Sequence, residues 1–106
     1  MSTATEPLGT DPTDVDDGYR SLASIFGFKP GQPVRFVEGE VQATVAALQL
    51  RTGKTRPDAT STGIKLNAGD SRTFGPNSPW RLDQVWVRED VAAAGAKVAA
   101  AGWVEV

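Results

Sequence analysis

The alternation of apolar and polar residues along the chain predicts a protein built mainly of short β-strands. The clearest strand is residues 82–88, LDQVWVR, in which β-branched and aromatic side chains are frequent. Shorter alternating segments at 34–37, 64–67 and 71–74 predict three more strands. The residues AGD at 68–70 are a turn signal, after which the chain returns.

Two segments have patterns that fit more than one element. Residues 41–50, VQATVAALQL, alternate at first and then change phase, which favours a strand with a bulge, although their composition also fits a helix. The preceding Glu-Gly-Glu at 38–40 is a candidate turn. Residues 90–101 fit a C-terminal helix that Asp90 would cap, and the same tail fits a hairpin that turns at 94–95.

The remaining segments predict one short helix separated from the strands by loops. Within residues 19–27 the apolar side chains recur at the spacing of one helical face. Proline and glycine interrupt the chain at 29–33 and again at 75–79. Residues 51–63, RTGKTRPDATSTG, form a long polar loop, which indicates either a contact surface or disorder. Together the patterns predict a mostly β fold, a small antiparallel β-sandwich or barrel.

The composition of the chain excludes most kinds of catalytic site. A length of 106 residues is that of one small domain. Because histidine and cysteine are both missing, the chain can form no Ser-His-Asp triad, no thiolate nucleophile and no Cys/His zinc site. The adjacent carboxylates of Asp16-Asp17 and Glu89-Asp90 lack the separation across a cleft that paired acid and base catalysts need. We therefore predict no enzymatic activity, no cofactor and no metal site.

The charges divide the chain into two unlike parts. Residues 1–17 hold five of the 13 acidic side chains and none of the 11 basic ones, so residues 18–106 hold eight acids against eleven bases. We predict an extended acidic arm, 1–17, which is too polar to fold by itself, and a single β-rich domain, 18–106. The arm would contact a basic surface, or it would only keep the protein soluble.

The charge and hydropathy also bear on the partners of the protein. The net charge of +3 on residues 18–106 is too small and too scattered to indicate nucleic-acid binding. No segment approaches the roughly 18 consecutive apolar residues of a membrane span. The N-terminus also lacks the pattern of a signal peptide. We expect neither a nucleic acid nor a membrane as a partner.

The residues predicted to contact other proteins are acids of the arm and large apolar side chains near loops. Trp86 fits the core because it lies within an alternating strand, whereas Trp80 and Trp103 lie near a Pro-rich loop and near the C-terminus. Tryptophan in such positions can anchor an interface. The predicted interface residues are Asp11, Asp14, Asp16, Asp17, Tyr19, Leu22, Phe26, Phe28, Trp80 and Trp103.

Three sequence segments together resemble a pattern of small bacteriophage virion proteins. They are GIKLNAGDSRTF at 63–74, LDQVWVR at 82–88 and GAKV at 95–98. In those proteins a hairpin of the form G-I/V-x-L-x-A-G-E/D-S-x-x-F precedes a strand L-D/S-x-I/V-Y/W-V and a closing strand G-x-x-V. The alanine-rich stretch around Gly95 departs from the pattern, since bulky alternating residues are expected there.

The resemblance implies a fold and a role. Proteins of this kind are β-sandwiches or barrels of head decoration proteins, head fibres and tail components, and they bind other virion subunits without catalysis. By this resemblance residues 68–70 would be the turn of a hairpin. The implied protein is a capsid decoration (cement) protein of the virion, with the major capsid protein as its partner. Neighbouring copies of the chain, such as a trimer, are also expected as partners, because so small a domain gains stability by association. The acidic arm would reach across neighbouring subunits and become ordered on binding.

Two other roles stay open at this point. One is a tail, connector or head-fibre structural protein of a phage. The other is a small cellular module that binds carbohydrate or peptide.

Overall fold

Two antiparallel sheets pack face to face and enclose one core. The computed structural model describes residues 5–29, 31–76 and 78–105. Its elements are β1 (Thr5–Gly9), β2 (Thr13–Asp14), β3 (Arg20–Ser21), α1 (Leu22–Ile25), β4 (Arg35–Thr44), β5 (Leu48–Thr52), β6 (Ile64–Leu66), β7 (Ser71–Phe74), a 3₁₀ turn (Leu82–Gln84), β8 (Val85–Glu89) and β9 (Lys97–Glu105).

The strand order shows how the chain winds between the sheets. Sheet A has the order β1-β9-β4-β7, with β2 also paired to β9, and sheet B has the order β3-β8-β5-β6. Within the described residues, β5 and β6 are the only partners that follow each other in the chain. Strands that alternate between two sheets, with the first strand beside the last, have the arrangement of a jelly roll. The predicted small antiparallel β-sandwich is thereby confirmed.

The core lies between the sheets and is made by alternate residues of each strand. In β8 the side chains of Val85 and Val87 point inward, and in β9 those of Val98, Ala100 and Val104 do so. Trp86 alternates with Val85 and Val87 and therefore points to the outer side of β8, so its prediction as a core residue is wrong.

The change of phase in residues 41–50 marks a change of sheet. β4 ends at Thr44 in sheet A, and β5 begins at Leu48 in sheet B. Between them Val45 has a left-handed conformation with a φ of 71°, which turns the chain. The predicted single strand with a bulge is wrong here, and so is the alternative helix, because each half of the segment pairs in a different sheet.

The Glu-Gly-Glu sequence at 38–40 lies inside β4 and makes no turn. β4 pairs with β9 along its length, and the register shifts between Phe36 and Glu38, so the bulge is at this point. Cross-strand pairing on both sides of β4 overrides the local turn preference of these residues.

The turn at 68–70 is present, but the hairpin implied by the resemblance is not. The N–H of Asp70 donates to the carbonyl of Asn67 at 2.8 Å, which closes the turn. However, β6 pairs with β5 in sheet B, whereas β7 pairs with β4 in sheet A. A tight turn at the end of the sandwich thus carries the chain from one sheet to the other.

The C-terminal tail forms neither the predicted helix at 90–101 nor the alternative hairpin. Residues 97–105 are strand β9, which lies between β1 and β4 and has no pairing with β8. The carboxylate of the buried Glu89 holds the preceding turn, since its Oε2 accepts from the N–H groups of Gly95 and Ala96 at 2.9 and 3.1 Å. Pairing on both sides of β9 stabilises a strand in spite of the helix-favouring alanines.

The short helix predicted within residues 19–27 is present as a single turn. It is α1, capped by Ser21, whose side chain accepts from the N–H of Ser24 at 3.1 Å. Buried Leu22 and Ile25 attach the helix to the core.

The described part of the N-terminal arm is extended and pairs with its own chain. Residues 5–9 pair with residues 101–105 of β9, and Thr13 pairs with Val98. Val15 is buried in the core. The arm was expected to be unfolded without a partner, but β9 supplies the backbone hydrogen bonds that its polar sequence needs.

Candidate functional site

The outer face of sheet B is covered by the loop of residues 53–63. Tyr19 is fully buried beneath this loop, and its hydroxyl donates to the carbonyl of Ser61 at 2.8 Å. The guanidinium of Arg88 lies 5.3 Å from the centre of the Tyr19 ring and donates to the same carbonyl at 3.2 Å. The indole N–H of Trp86 donates to the carbonyl of Gly53 at 3.0 Å. These hydrogen bonds therefore attach both ends of the loop to the outer side of sheet B.

Gln49 of the inner strand β5 forms a further hydrogen bond to the loop and one to the turn after β8. The amide of Gln49 accepts from the N–H of Gly63 at 2.9 Å and donates to the carboxylate of Asp90. The ammonium of Lys65 lies 3.3 Å from the same carboxylate. The hydrogen bond from Gln49, and then Lys65, hold the pKa of Asp90 below its ordinary value. The long polar loop predicted from the sequence is thus a structural cover on its inner side.

The outer face of sheet A has no such cover within the described residues, and Trp103 lies on it. Trp103 is 47% exposed, although it belongs to β9, an inner strand of its sheet. Across the strands it is paired with Pro7 of β1 and with Glu38 of β4. Glu40 is also exposed on this side of β4, opposite Ala101. We call Glu38 and Glu40 the acidic pair, and the surface around them and Trp103 the Trp103 face.

Two glycines hold the backbone beneath the Trp103 face in close contact. Gly39 and Gly102 are directly paired, and Gly102 has a φ of 140°. A Cβ on Gly102 would lie 2.3 Å from the carbonyl oxygen of Glu38, a distance that no side chain tolerates. The bulge before Glu38 and this close approach together place Glu38 beside Trp103.

The charges on this face are paired at its two ends and unpaired at its centre. Arg35 lies 3.1 Å from Glu105 near one end of β9, and Lys97 lies 3.1 Å from Asp14 near the other. No basic group of the described residues lies within 4.0 Å of either carboxylate of the acidic pair. The centre of the Trp103 face is therefore negative.

The predicted acids of the arm lie apart from Trp103 and follow the edges of the sandwich. Asp14 pairs with Lys97, as described above, and Asp16 pairs with Arg20 at 3.4 Å. Asp11 and Asp17 are exposed. The structure does not bring these four carboxylates together into one site.

The predicted apolar contact residues fall into two groups. Tyr19 and Leu22 are fully buried within their own chain, so they stabilise the fold and offer no contact surface, which corrects their prediction as interface residues. Phe26, Phe28 and Trp80 are partly buried against the core, and their role as contacts stays a prediction. Trp103 is the member of the predicted set that lies on the open face.

Trp103 is among the contact residues that the sequence predicts, whereas the acidic pair is not. The sequence predicts a turn for both glutamates, because Glu-Gly-Glu has the composition of one. The weak signal that could have found them is the alternation of Glu38 and Glu40 with Gly39 and Val41, which places both carboxylates on the outer side of a strand.

Neither a metal site nor a membrane-spanning helix occurs among the described residues, and no similar protein is found. The described residues contain no group of three or more acidic side chains placed to hold a metal ion. The helices of the described chain are all too short or too polar to cross a membrane. Comparison with protein families, with curated proteins and with solved structures finds no match.

Proposed function

We propose that the protein is a bacteriophage capsid decoration protein, which binds the outer surface of the shell and stabilises it. The observation that carries the proposal is the Trp103 face, where a large aromatic side chain is half exposed in the middle of a sheet. Buried tryptophan is among the residues that contribute most to protein–protein binding. Covering this side chain with another protein would remove its apolar surface from water.

The sandwich is compatible with the proposed role but does not select it. Jelly rolls occur in viral capsid proteins and in lectins, and one fold serves many functions. The resemblance of residues 63–74, 82–88 and 95–98 to small virion proteins favours the first of these two classes, although the hairpin that it implies at 68–70 is not formed. The major capsid protein is the proposed partner, with neighbouring copies of the chain beside it on the shell.

The arrangement supports a passive mechanism of stabilisation. Each copy would contribute one modest contact through its Trp103 face, and the many copies on one particle would act together. The two sheets and the loop of residues 53–63 are already held by their own hydrogen bonds, so that little ordering is needed when the protein binds.

The abundance of the protein in virions tests this proposal. Purified particles of the phage that encodes the chain are digested, and its copies are counted by quantitative mass spectrometry against those of the major capsid protein. We expect hundreds of copies per particle. A few copies confined to one vertex would indicate a tail, connector or head-fibre protein, and particles without the chain would refute a virion role.

A binding experiment tests the surface itself. Particles that lack the protein are incubated with the purified chain or with the variant Trp103→Ala, and occupancy is measured after sedimentation. Loss of an interface anchor costs about 2 kcal/mol, so we expect an affinity roughly 30-fold lower. The matched control is Val91→Ala, which removes a side chain 63% exposed outside the Trp103 face and should keep occupancy unchanged.

A further inference from the structure

We infer that the Trp103 face binds a lysine or arginine side chain presented by an extended basic segment of a partner protein. The inference rests on the proposed function, because it uses the same surface, and it adds the chemistry of the partner. Three observations lead to it: the exposed ring, the unpaired charges beside it and the shape of the surrounding surface.

The ring of Trp103 is the first observation. Cations bind the face of an aromatic ring, and tryptophan is the strongest of the natural rings for this contact. The chain already uses the contact twice, with Arg88 over Tyr19 at 5.3 Å and Arg72 over Phe74 at 5.5 Å. Among the described residues no such cation lies over Trp103, although its ring is the most exposed of the three.

The acidic pair is the second observation. Glu38 is directly opposite Trp103, and side chains in such a position have Cβ atoms about 5 Å apart. Glu40 lies two residues further along the same side of β4, a rise of roughly 7 Å. A cation above the indole is therefore within reach of both carboxylates.

The cost of covering these carboxylates decides the kind of partner. The Ser71 hydroxyl donates to the carboxylate of Glu40 at 3.4 Å but carries no charge. An apolar or acidic surface placed over Trp103 would therefore bury two negative charges without a basic partner, which is strongly unfavourable. The ion pairs at the two ends of the face, Arg35–Glu105 and Lys97–Asp14, leave no nearby base to neutralise them. A partner that supplies its own cation removes this cost.

The surface beside Trp103 is the third observation, because it is a shallow groove and not a closed pocket. One depression is lined by Trp103, the acidic pair and Thr73, and a second one continues along β9 past Ala99 to Thr10. The two depressions share Glu40 and Ala101. Such a groove suits an extended peptide segment that lays one basic side chain against the ring.

Peptide binding tests the inference with probes of defined charge. The ¹⁵N-labelled protein is titrated at low salt with acetyl-(Gly-Arg)₃-amide and, as a neutral control, with acetyl-(Gly-Gln)₃-amide. We expect amide shift changes centred on β4 and β9 around Trp103 with the arginine peptide and none with the glutamine peptide. Affinity should fall as salt is raised, since exposed charges are screened.

Matched variants separate a specific site from general attraction by negative charge. The double variant Glu38→Gln with Glu40→Gln and the variant Trp103→Leu should each weaken binding of the arginine peptide about tenfold, or 1.4 kcal/mol. The control Asp17→Asn with Asp58→Asn removes the same charge from exposed sites outside the groove and should leave the affinity within about twofold. Thermal unfolding monitors that every variant is folded.

Several results would overturn the inference. Equal weakening by the two double variants would show attraction by net charge alone. The same shift changes with cellohexaose would assign the face to carbohydrate. Self-association in sedimentation experiments that disappears in the Glu38→Gln, Glu40→Gln variant would assign it to a second copy, which carries exposed Arg51 in β5 and exposed Lys54 in its loop.

The inference and the proposed function can fail separately. If particles hold hundreds of copies but the Glu38→Gln, Glu40→Gln variant keeps full occupancy, the inference is wrong and the decoration role stands. If the peptide binds as described but particles lack the chain, the site stands and the decoration role is wrong.

Discussion

Each sheet of the sandwich has a tryptophan directed outward from an inner strand, Trp86 in β8 and Trp103 in β9, but their surroundings differ. The indole of Trp86 is bonded to the loop of residues 53–63, which covers sheet B, whereas Trp103 is 47% exposed on sheet A. Trp86 therefore stabilises the fold, whereas Trp103 is exposed and can contact another protein. The difference comes from a loop that lies far from both residues in the sequence.

The loop of residues 53–63 shows that a polar segment can bury a large aromatic side chain. The loop contains few apolar side chains, yet it buries Tyr19 completely, because backbone carbonyls at Gly53 and Ser61 accept from the side chains beneath them. Among the described residues, sheet A has Gly39, Gly102 and Ala101 at its centre and no loop across its outer face. Stability should therefore depend on the outer face of sheet B, and binding on that of sheet A.

The largest expected effect tests the covered face. Tyr19→Ala would leave a cavity under the loop and should lower the free energy of unfolding by about 3–5 kcal/mol, as for other buried aromatic residues. Tyr19→Phe removes only the bond to Ser61 and should cost about 1 kcal/mol. Urea unfolding measures both. A loss below about 1 kcal/mol for the alanine variant would mean that the cover is not structural.

The next effect concerns the backbone under the Trp103 face. Gly102→Ala puts a Cβ 2.3 Å from the carbonyl of Glu38 at a φ of 140°, so we expect a loss of about 2–4 kcal/mol. Gly9→Ala, also in sheet A, has no atom within 4 Å of the new Cβ and should change stability by less than about 1 kcal/mol. Similar losses in thermal unfolding of the two variants would contradict the close approach.

The two tryptophans provide the most direct test of the comparison. Trp86→Phe removes the bond to Gly53 and should lower stability by about 1 kcal/mol, with faster proteolysis within residues 53–63. Trp103→Phe removes no such bond and should change stability by less than about 0.5 kcal/mol. Equal effects of both substitutions on unfolding and cleavage would show that the two faces are alike.

The smallest effect is a dependence on pH at the edge of the covered face. The pKa of Asp90 is lower in the folded protein than in the unfolded chain, because Gln49 and Lys65 stabilise its carboxylate. Its contribution to stability is therefore complete above the unfolded pKa of about 4 and is lost as the pH falls through the lower folded value. Asp90→Asn should remove this part of the acid destabilisation, measured by thermal unfolding between pH 7 and pH 2. An unchanged pH profile would contradict the contact.

The local sequence was sufficient for the type of most elements and insufficient for their partners. Strands are present at the predicted segments 64–67 and 71–74, and AGD at 68–70 is indeed a turn, whereas the helix predicted at 90–101 is a turn followed by strand β9. The local sequence does not indicate which strands pair with β7 and β9. A turn of a few residues can return a strand to its neighbour or lead it to the opposite sheet, and the local backbone bonds are similar in both cases.

The candidate site was predictable only in part for the same reason. Trp103 was identified because a tryptophan near a chain end is a common interface residue. The acidic pair was missed, since Glu38 becomes a neighbour of Trp103 only through the pairing of β4 with β9. Tyr19 was misjudged because the loop that buries it begins more than thirty residues later.

The sequence by itself determined the mostly β class, the position of the turn at 68–70 and the lack of histidine and cysteine chemistry. These properties follow from side-chain type and from a period of two residues, which are local. The tertiary structure alone decided that short turns cross between sheets, that one outer face is covered and that Trp103 lies beside two unpaired carboxylates. These properties depend on contacts between residues distant in the chain, whose free energy no single segment contains.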